Sequence, residues 1–581
     1  YITKNGFLAL TFNTDLPAST YVRQETISQF KISDQSIDIS GTLTTNYLKT
    51  KKIFIDFYLR SSLNIVRLPG KLEYRNSSVD LSRHRYNFSF HIVSDELKKV
   101  VKNIDYIRDV IDFDISLEVE GYNETLKHRL GRPRARVRQG LEGNMILKDS
   151  QLNVELTPYF TLKGNNLAMY CNVFDDDALE TYQNVLHHEV TKEENVWLIG
   201  EKSNKAQDNG LFFFKYLREN HPEINAYYVI DSTSLDRDNF DSMDHVVTFN
   251  SAEHFRVAYL AQVICGTHDY KLLLPTVNHD FLKLIKAKIV FLQHGVLGTK
   301  NLIDINGRMF DTFYADVFVT SSEREKNIVT NDLKYPEDSV IVSGLPRFDR
   351  LFETGNKVKR QILIIPTWRD WLRDDDIFKE SNYLYVYNSL INRPVFRELA
   401  DKGYEILFCL HPNAQQFLHY FSIPDYVTPI SQGEAMVQDL IKESAVMITD
   451  YSSVGLDFSF LDKAVIYYQF DQVRFLGKKG SHLNLERDLP GDVAYSEDQV
   501  IESLRTAEKR DFKISPNNKI KSGKFLFKKD QNNSERVFIG IQKSKKESTF
   551  EKIKYGFIFN KAFVRFRKSK YYFPIMRRIY G

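Results

Sequence analysis

Met447-Ile448-Thr449-Asp450-Tyr451-Ser452-Ser453-Val454-Gly455-Leu456-Asp457-Phe458 is the stretch whose reading decides the fold. The apolar run from Ala445 to Ile448 reads as the end of a buried strand, and Val454 to Leu461 reads as an apolar helix. Between them lie small, hydroxylated residues. That layout sets Ser452 and Ser453 where unpaired backbone N–H groups and the helix dipole favour a phosphate. A second apolar strand, Ala464 to Tyr468, follows at once. A phosphate-binding turn at a strand C-terminus is where doubly wound α/β sheets take nucleotides. A plain capped helix after a strand gives the same pattern, so the stretch has to be weighed with its surroundings.

Working outward, short apolar strands alternate with amphipathic helices from about Asn195 onward. Strand candidates are Val196–Ile199, Ala226–Ile230, His245–Phe249, Val263–Cys265, Ile289–Leu292, Val317–Thr320 and Val340–Val342. A second series runs through Ile362–Ile365, Glu405–Cys409, Val446–Thr449 and Val465–Tyr468. Two successive series predict two Rossmann-like domains facing across a cleft, over residues 190–355 and 356–545, with the boundary in the polar stretch Glu353–Arg360.

Residues 1–165 read differently. Alternation with period two, as in Ile53, Ile55, Phe57 and Leu59 or Ile111, Phe113, Ile115, Leu117 and Val119, predicts a β-sandwich-like accessory domain. Arg129, Arg132, Arg134, Arg136 and Arg138 crowd a loop within it. They form either a solvated hairpin tip or a contact for an anionic polymer or membrane surface. Residues 551–581 interleave nine Lys and Arg with aromatic side chains against the single acid Glu551. That is the pattern of a segment lying on an anionic membrane interface, or of a C-terminal helix packed on the preceding domain.

Gross composition sets limits. At 581 residues the chain exceeds what one core fills, and 42% hydrophobic with 13% aromatic residues describes a globular protein. A formal net charge of +3 gives no global argument for binding a polyanion, and no nucleic acid is expected. Cys171, Cys265 and Cys409 lie far apart, which suits a reducing compartment and no metal-ligand set. The chain shows no signal-peptide pattern and no apolar run of the roughly 18 residues that span a bilayer. It opens on Tyr1 rather than Met, which leaves a leader or further N-terminal sequence open. The expectation is a soluble or peripheral protein at the cytoplasmic face of the cell membrane.

Two histidines follow strand candidates. Gln293-His294-Gly295 comes after Ile289–Leu292, and His411-Pro412-Asn413 after Glu405–Cys409. Each imidazole is placed for proton transfer near neutral pH, or is simply structural. Ile365-Pro366-Thr367-Trp368-Arg369-Asp370 is a third strand end, whose Arg369 either binds a phosphate or pairs with Asp370.

Taken in order, these segments resemble the CDP-glycerol glycerophosphotransferase family, the teichoic acid polymerases and primases. The resemblance runs from about Asn195 to Ile541, through Gly200-Glu201-Lys202-Ser203-Asn204-Lys205-Ala206-Gln207-Asp208-Asn209-Gly210, Gln293-His294-Gly295, Ser343-Gly344-Leu345-Pro346-Arg347-Phe348-Asp349 and Pro366-Thr367-Trp368-Arg369-Asp370. It continues with His411-Pro412, Thr449-Asp450-Tyr451-Ser452-Ser453 and Ser534-Glu535-Arg536. It implies a GT-B-like fold, His294 and His411 as the essential pair, and donor phosphates at Ser452 and Ser453 with Asp450 nearby and Arg369 as a further donor-binding candidate. Asn204, Asn209, Lys300 and Arg347 are the other cleft candidates. Several relatives carry Thr-Pro-Leu-Lys after the His-Gly pair, where this chain has Val296-Leu297-Gly298-Thr299-Lys300, so Lys300 stands in a shifted context.

The implied reaction moves glycerol phosphate or ribitol phosphate from a CDP-polyol to the terminal hydroxyl of a lipid-linked teichoic-acid-type or capsule polymer. CDP-glycerol or CDP-ribitol is then a substrate, and neither cofactor nor metal is expected. The alternative is a GT-B glycosyltransferase using a nucleotide sugar in cell-surface polysaccharide synthesis.

Overall fold

The computed structural model describes residues 21–546, except 47–48, 63, 76–82, 103, 105–106, 149–151, 162–163, 241, 309–312, 356 and 432–433. The basic aromatic segment 551–581 lies outside them. The described residues divide into two compact units. One holds the chain up to Glu193 together with Val247–Ala261 and Leu274–Lys286, and the other holds Glu194–Val246, Gln262–Leu273 and the chain from Ala287.

The first unit is β-rich. A four-stranded antiparallel sheet runs in the order Val22–Ile32, Ser36–Asn46, Arg83–Val93, Lys71–Arg75. A second antiparallel sheet is centred on Thr50–Leu59, Arg108–Val119 and Leu167–Phe174. Alternate residues of both point into one core, with Ile39, Leu43 and Phe88 from the first meeting Ile55, Phe57, Phe113 and Ile115 from the second. The module runs past residue 165, because the hairpin Asn153–Phe160/Leu167–Phe174 spans that point in unbroken register. Tyr182, on the helix Asp176–Leu186, stacks on Phe255 with ring centroids 5.0 Å apart, which draws the helix Ala252–Leu260 into the unit. Buried Glu155 does the same for the next segment, accepting from Asn144 (2.7 Å), Tyr182 (3.0 Å) and the Thr276 hydroxyl.

The second unit carries two parallel sheets. In chain order the strands of the first are β1 (Val196–Gly200), β2 (Asn225–Ile230), β3 (Val246–Thr248), β4 (Val263–Gly266), β5 (Lys288–Phe291), β6 (Val317–Thr320) and β7 (Val340–Val342). They lie in the order β3-β2-β1-β4-β5-β6-β7, and of β3 only Val246 is counted in this unit. Those of the second are β8 (Gln361–Ile364), β9 (Glu405–Cys409), β10 (Val427–Ile430), β11 (Val446–Thr449), β12 (Ala464–Tyr468) and β13 (Asp492–Ala494), in the order β10-β9-β8-β11-β12-β13. Both orders reverse beside their first strand, which opens a crevice at the carboxyl ends of β1 and β4 and of β8 and β11. The central strands are buried throughout, as continuous apolar runs covered on both faces must be. Gly200 pairs with Gly266 and Gly266 with Phe291, so β1, β4 and β5 end level and release their loops at one place.

Candidate active site

The turn after β1 folds back on a buried carboxylate. Glu201 accepts the backbone N–H groups of Gln207 (3.1 Å), Asp208 (2.8 Å) and Leu211 (3.1 Å). Burial, reinforced by the neighbouring Asp208 charge, raises its pKa to about 7. The turn leads into the helix Asn209–Asn220, whose first side chain is a tether. Asn209 is fully buried, donates to the carbonyls of Leu292 (3.3 Å) and Gln293 (2.8 Å), and accepts from the Arg347 backbone N–H at 3.0 Å. It fixes the β5 exit loop and offers nothing to a ligand, so its expected place in the cleft is corrected to a supporting one.

That exit loop is held under strain. Gln293 has φ 62°, a left-handed backbone rarely adopted outside glycine, and its side chain donates to the Val319 carbonyl. His294 follows, open to solvent on one side and hydrogen-bonded to the Thr267 backbone. Its ring stacks on His268, which follows β4, with centroids 4.8 Å apart and planes 15° from parallel. Burial lowers the pKa of both imidazoles. For His294 the Asp208 carboxylate opposes this, while Arg347 and Lys202 add to it.

In the second sheet His411 leaves β9, and its Nδ1 accepts the Asn413 N–H at 3.2 Å, which leaves Nε2 to carry the proton of the neutral ring. Trp368, beyond β8, lies nearly parallel to it with centroids 6.4 Å apart. Burial lowers the His411 pKa, Lys202 lowers it further, and Asp450 opposes. Lys202 thus exerts its charge on His268, His294 and His411 alike. Lys202 is itself solvent-exposed.

Arg369 and Asp450 require correction as donor ligands. The Arg369 side chain is 0% exposed and spends its N–H groups on Asp471 (2.7 and 3.0 Å), Asp450 (2.9 Å) and the Thr367 carbonyl (2.6 Å). Tyr383, Tyr451, Phe470 and Phe475 enclose its guanidinium. Asp450, also fully buried, accepts the N–H groups of Thr367 (2.9 Å) and Tyr451 (2.6 Å) and the Tyr387 hydroxyl at 3.1 Å. The pair is a buried frame that sets the turn carrying Ser452 and Ser453. Those two serines are half-buried and stand ahead of the seven-residue helix Val454–Phe460.

Arg347 also departs from expectation. It is 5% exposed and bridges Asp208 (2.7 Å) to Asp457 (2.7 and 2.9 Å), tying the β1 turn to the helix after β11. Lys300 is exposed, with Nζ 5.1 Å from the Phe475 ring centroid. Asn204 is exposed, and its carbonyl accepts from the Ser234 hydroxyl at 3.0 Å. His268, Lys202 and Trp368 were not singled out from the sequence, and the structure sets His268 against His294 and Trp368 beside His411. Thr267-His268-Asp269 after Val263–Cys265 bears the same mark, a histidine just past a buried strand, that singled out His294 and His411.

The two sheets meet at Gly295, where a Cβ would lie 2.3 Å from Ser453 Oγ and 3.0 Å from Ser453 Cβ. Gly295→Ala is therefore expected to push the two loops apart while leaving both cores intact. Turnover should fall about 100-fold, the scale set by ångström misplacement of reacting groups, with the melting temperature near that of the parent. An unchanged kcat would show that this approach is not needed.

Residues 181–543 match the family described as CDP-glycerol:poly(glycerophosphate) glycerophosphotransferase, and residues 21–170 match the TarS β-glycosyltransferase C-terminal domain 1. The chain is 28% identical over 375 residues to the minor teichoic acid biosynthesis protein GgaB of Bacillus subtilis (strain 168), covering 61% of this chain and 41% of that protein. It is 26% identical over 206 residues to the teichoic acid glycerol-phosphate transferase of Staphylococcus aureus (strain NCTC 8325 / PS 47), covering 33% of this chain and 51% of that protein. The chain thus spans about half or less of the length of these relatives. A structure of the wall teichoic acid polymerase TagF aligns with a TM-score of 0.48 at 18% identity, covering 63% of this chain and 92% of that one.

Proposed function

Because the chain belongs to the CDP-glycerol:poly(glycerophosphate) glycerophosphotransferase family, we propose that it transfers a polyol phosphate from a CDP-polyol to a hydroxyl at the end of a teichoic-acid-type polymer. The observation that carries this reading is the position of His294 and His411, each just past a buried strand of a different sheet and beside the crevices where such sheets bind nucleotides. In this reading the two sheets are the paired Rossmann-like domains of a GT-B-like transferase.

The acceptor hydroxyl is a weak nucleophile, so its proton has to leave as its oxygen attacks. His294, neutral because burial disfavours imidazolium, takes that proton. The oxygen bonds to the β-phosphorus, the bridging oxygen bond from that phosphorus breaks, and CMP departs with the electron pair. Negative charge grows on the phosphoryl oxygens and on CMP. In this reading Lys202, the Nε2–H of His411 and the Ser452–Ser453 turn meet it. Arg369 and Asp450 act one layer below, by holding that turn.

The proposal extends to a lipid-linked acceptor and a peripheral position at the cytoplasmic face of the membrane, with 551–581 as the segment to delete in vesicle-binding assays. Among the described residues no helix is long and apolar enough to cross a membrane. The test of function is CMP release from CDP-glycerol and from CDP-ribitol with a short polyol-phosphate acceptor. Acceptor-dependent release from one donor is the expected result and names the polyol. Turnover of UDP-sugars, with both CDP-polyols inert, would overturn the reading in favour of a glycosyltransferase.

A further inference from the structure

The β-rich unit holds a polar cleft of about 1220 Å³, whose lining includes Arg23, Glu25, His128, Arg132, Arg138 and Asn165. Three features mark it as built. Arg23 sits in a β-bulge, where the register between Val22–Ile32 and Ser36–Asn46 slips between Val22 and Gln24. Bulges re-aim side chains and recur beside sites. Arg132 follows a forced crossing of two chain segments. Its φ is 48°, its N–H donates to the Asn165 carbonyl at 2.8 Å, and Asn165 itself has φ 51°. At Gly131, just before it, a Cβ would lie 2.4 Å from the Asn165 carbonyl oxygen and 2.6 Å from Asn166 Cα. Two facing non-glycine residues in left-handed conformations persist only where the surroundings over-determine them.

The third feature is electrostatic. Arg23, Arg132 and Arg138 are exposed, and their side chains make no hydrogen bond or ion pair among the described residues. Of the neighbouring arginines, Arg129 is paired with Asp112 at 2.6 Å and Arg136 donates to the Ser28 carbonyl at 3.4 Å. Beneath the three free guanidinium groups, Glu25 is 1% exposed. One of its carboxylate oxygens accepts the Gly131 N–H, and the other lies 3.4 Å from His128 Nε2 without a hydrogen bond. Asn165 Oδ1 likewise lacks a donor. The cleft therefore carries cations without a partner among the described residues, beside enclosed acceptors whose hydrogen-bonding capacity is unfilled.

We propose that this cleft binds the polyol-phosphate chain itself, with phosphodiesters on the arginines and polyol hydroxyls toward Glu25 and Asn165. A single flexible chain fits a concave site ringed by cations. Among the described residues the lining holds no Phe, Tyr or Trp on which nucleic-acid bases would stack. The identity of the chain rests on the polyol-phosphate transferase reading, and the cleft would give the enzyme a second hold on its polymer away from the reacting end.

The test uses the full chain carrying Arg132→Gln and Arg138→Gln, with a synthetic oligo(glycerol phosphate) as probe. Both residues are exposed, so folding is not at issue. Oligomer affinity by calorimetry, and KM for the oligomer, should worsen about tenfold or more, as loss of charge-assisted contacts to phosphate implies. The kcat on a single-unit acceptor and the affinity for CDP-glycerol should not change. Arg134→Gln with Arg136→Gln removes the same charge outside the lining and should leave oligomer affinity near that of the parent. Equal weakening by both pairs would overturn the proposal in favour of diffuse attraction. So would intact oligomer binding with lost binding to phosphatidylglycerol vesicles, which would assign the arginines to a lipid headgroup. If no CDP-polyol turns over but the oligomer still binds through Arg132 and Arg138, the cleft assignment stands and the transferase reading falls.

Discussion

Replacing His294 by alanine should lower turnover by about 100- to 10,000-fold, the range spanned by loss of a general base, while CDP-glycerol still binds. The separation follows from how the loop is held. Gln293 is fixed by its bond to the Val319 carbonyl and by Asn209, neither of which uses the imidazole. Donor contacts are assigned to the other sheet, at Ser452 and Ser453. The same histidine sets the pH profile. Burial disfavours its charged form, and the Asp208 carboxylate only partly offsets that, so the ring stays unprotonated at pH values where a free imidazole would begin to charge. The acidic limb of kcat/KM is expected below pH 6.5, the ordinary histidine value, and should vanish from the residual activity of the variant. Near-normal turnover in His294→Ala would remove the assignment altogether.

The largest effect on stability is expected from Arg347→Met. Arg347 lies between Asp208 and Asp457, and Asp457 is 2% exposed. Burial already raises the Asp457 pKa to about 6, and the guanidinium is what restrains that rise. Methionine keeps much of the volume but leaves buried carboxylate charge without its partner, a change that costs about 3–5 kcal/mol. The sign of the pH dependence is fixed. Asp457 has a folded pKa above its unfolded value, so the folded state binds the extra proton and loses stability as pH rises from 3.8 through about 6. Without Arg347 the folded pKa climbs further, and the deficit should be larger at pH 8 than at pH 5.5 in urea denaturation. Adding Asp457→Asn should recover part of it, because the buried charge is then gone. An unchanged denaturation midpoint would mean that the Asp208–Arg347–Asp457 bridge contributes nothing to holding the two sheets together.

Much of this architecture could be read from the chain, and the exceptions have physical causes. Central strands such as Val446–Thr449 and Ala464–Tyr468 are covered on both faces, so they stand out as unbroken apolar runs. Edge strands are covered less, and Val427–Ile430, with a proline, and Asp492–Ala494, three residues long and opening on a charge, passed unnoticed. The strand-end positions of His294 and His411 were legible because β5 and β9 are apolar runs that end just before them. Arg369 misled because an arginine beside a phosphate-binding turn looks like a ligand. Only the fold brings Asp471, 102 residues away, into a bidentate grip on it. Asn209 and Arg347 misled in the same way, since their partners Gln293 and Asp457 are distant in sequence. The segments Val247–Ala261 and Leu274–Lys286 fall inside the range 190–355 expected to form one Rossmann-like domain, while Phe255 and Thr276 commit them to the β-rich unit through Tyr182 and Glu155.

The central claim is that the bond broken lies between the two phosphates of a CDP-polyol and that the β-phosphorus moves to the acceptor. The measurement that tests it most directly is the fate of a label on that atom. CDP-glycerol carrying radiolabelled β-phosphorus is incubated with the enzyme and a short polyol-phosphate acceptor, and the products are separated. Transfer of the label into the polymer with release of unlabelled CMP, lost in His294→Ala, is the predicted result. Label left on a released CDP, or a polymer extended without it, would contradict the account.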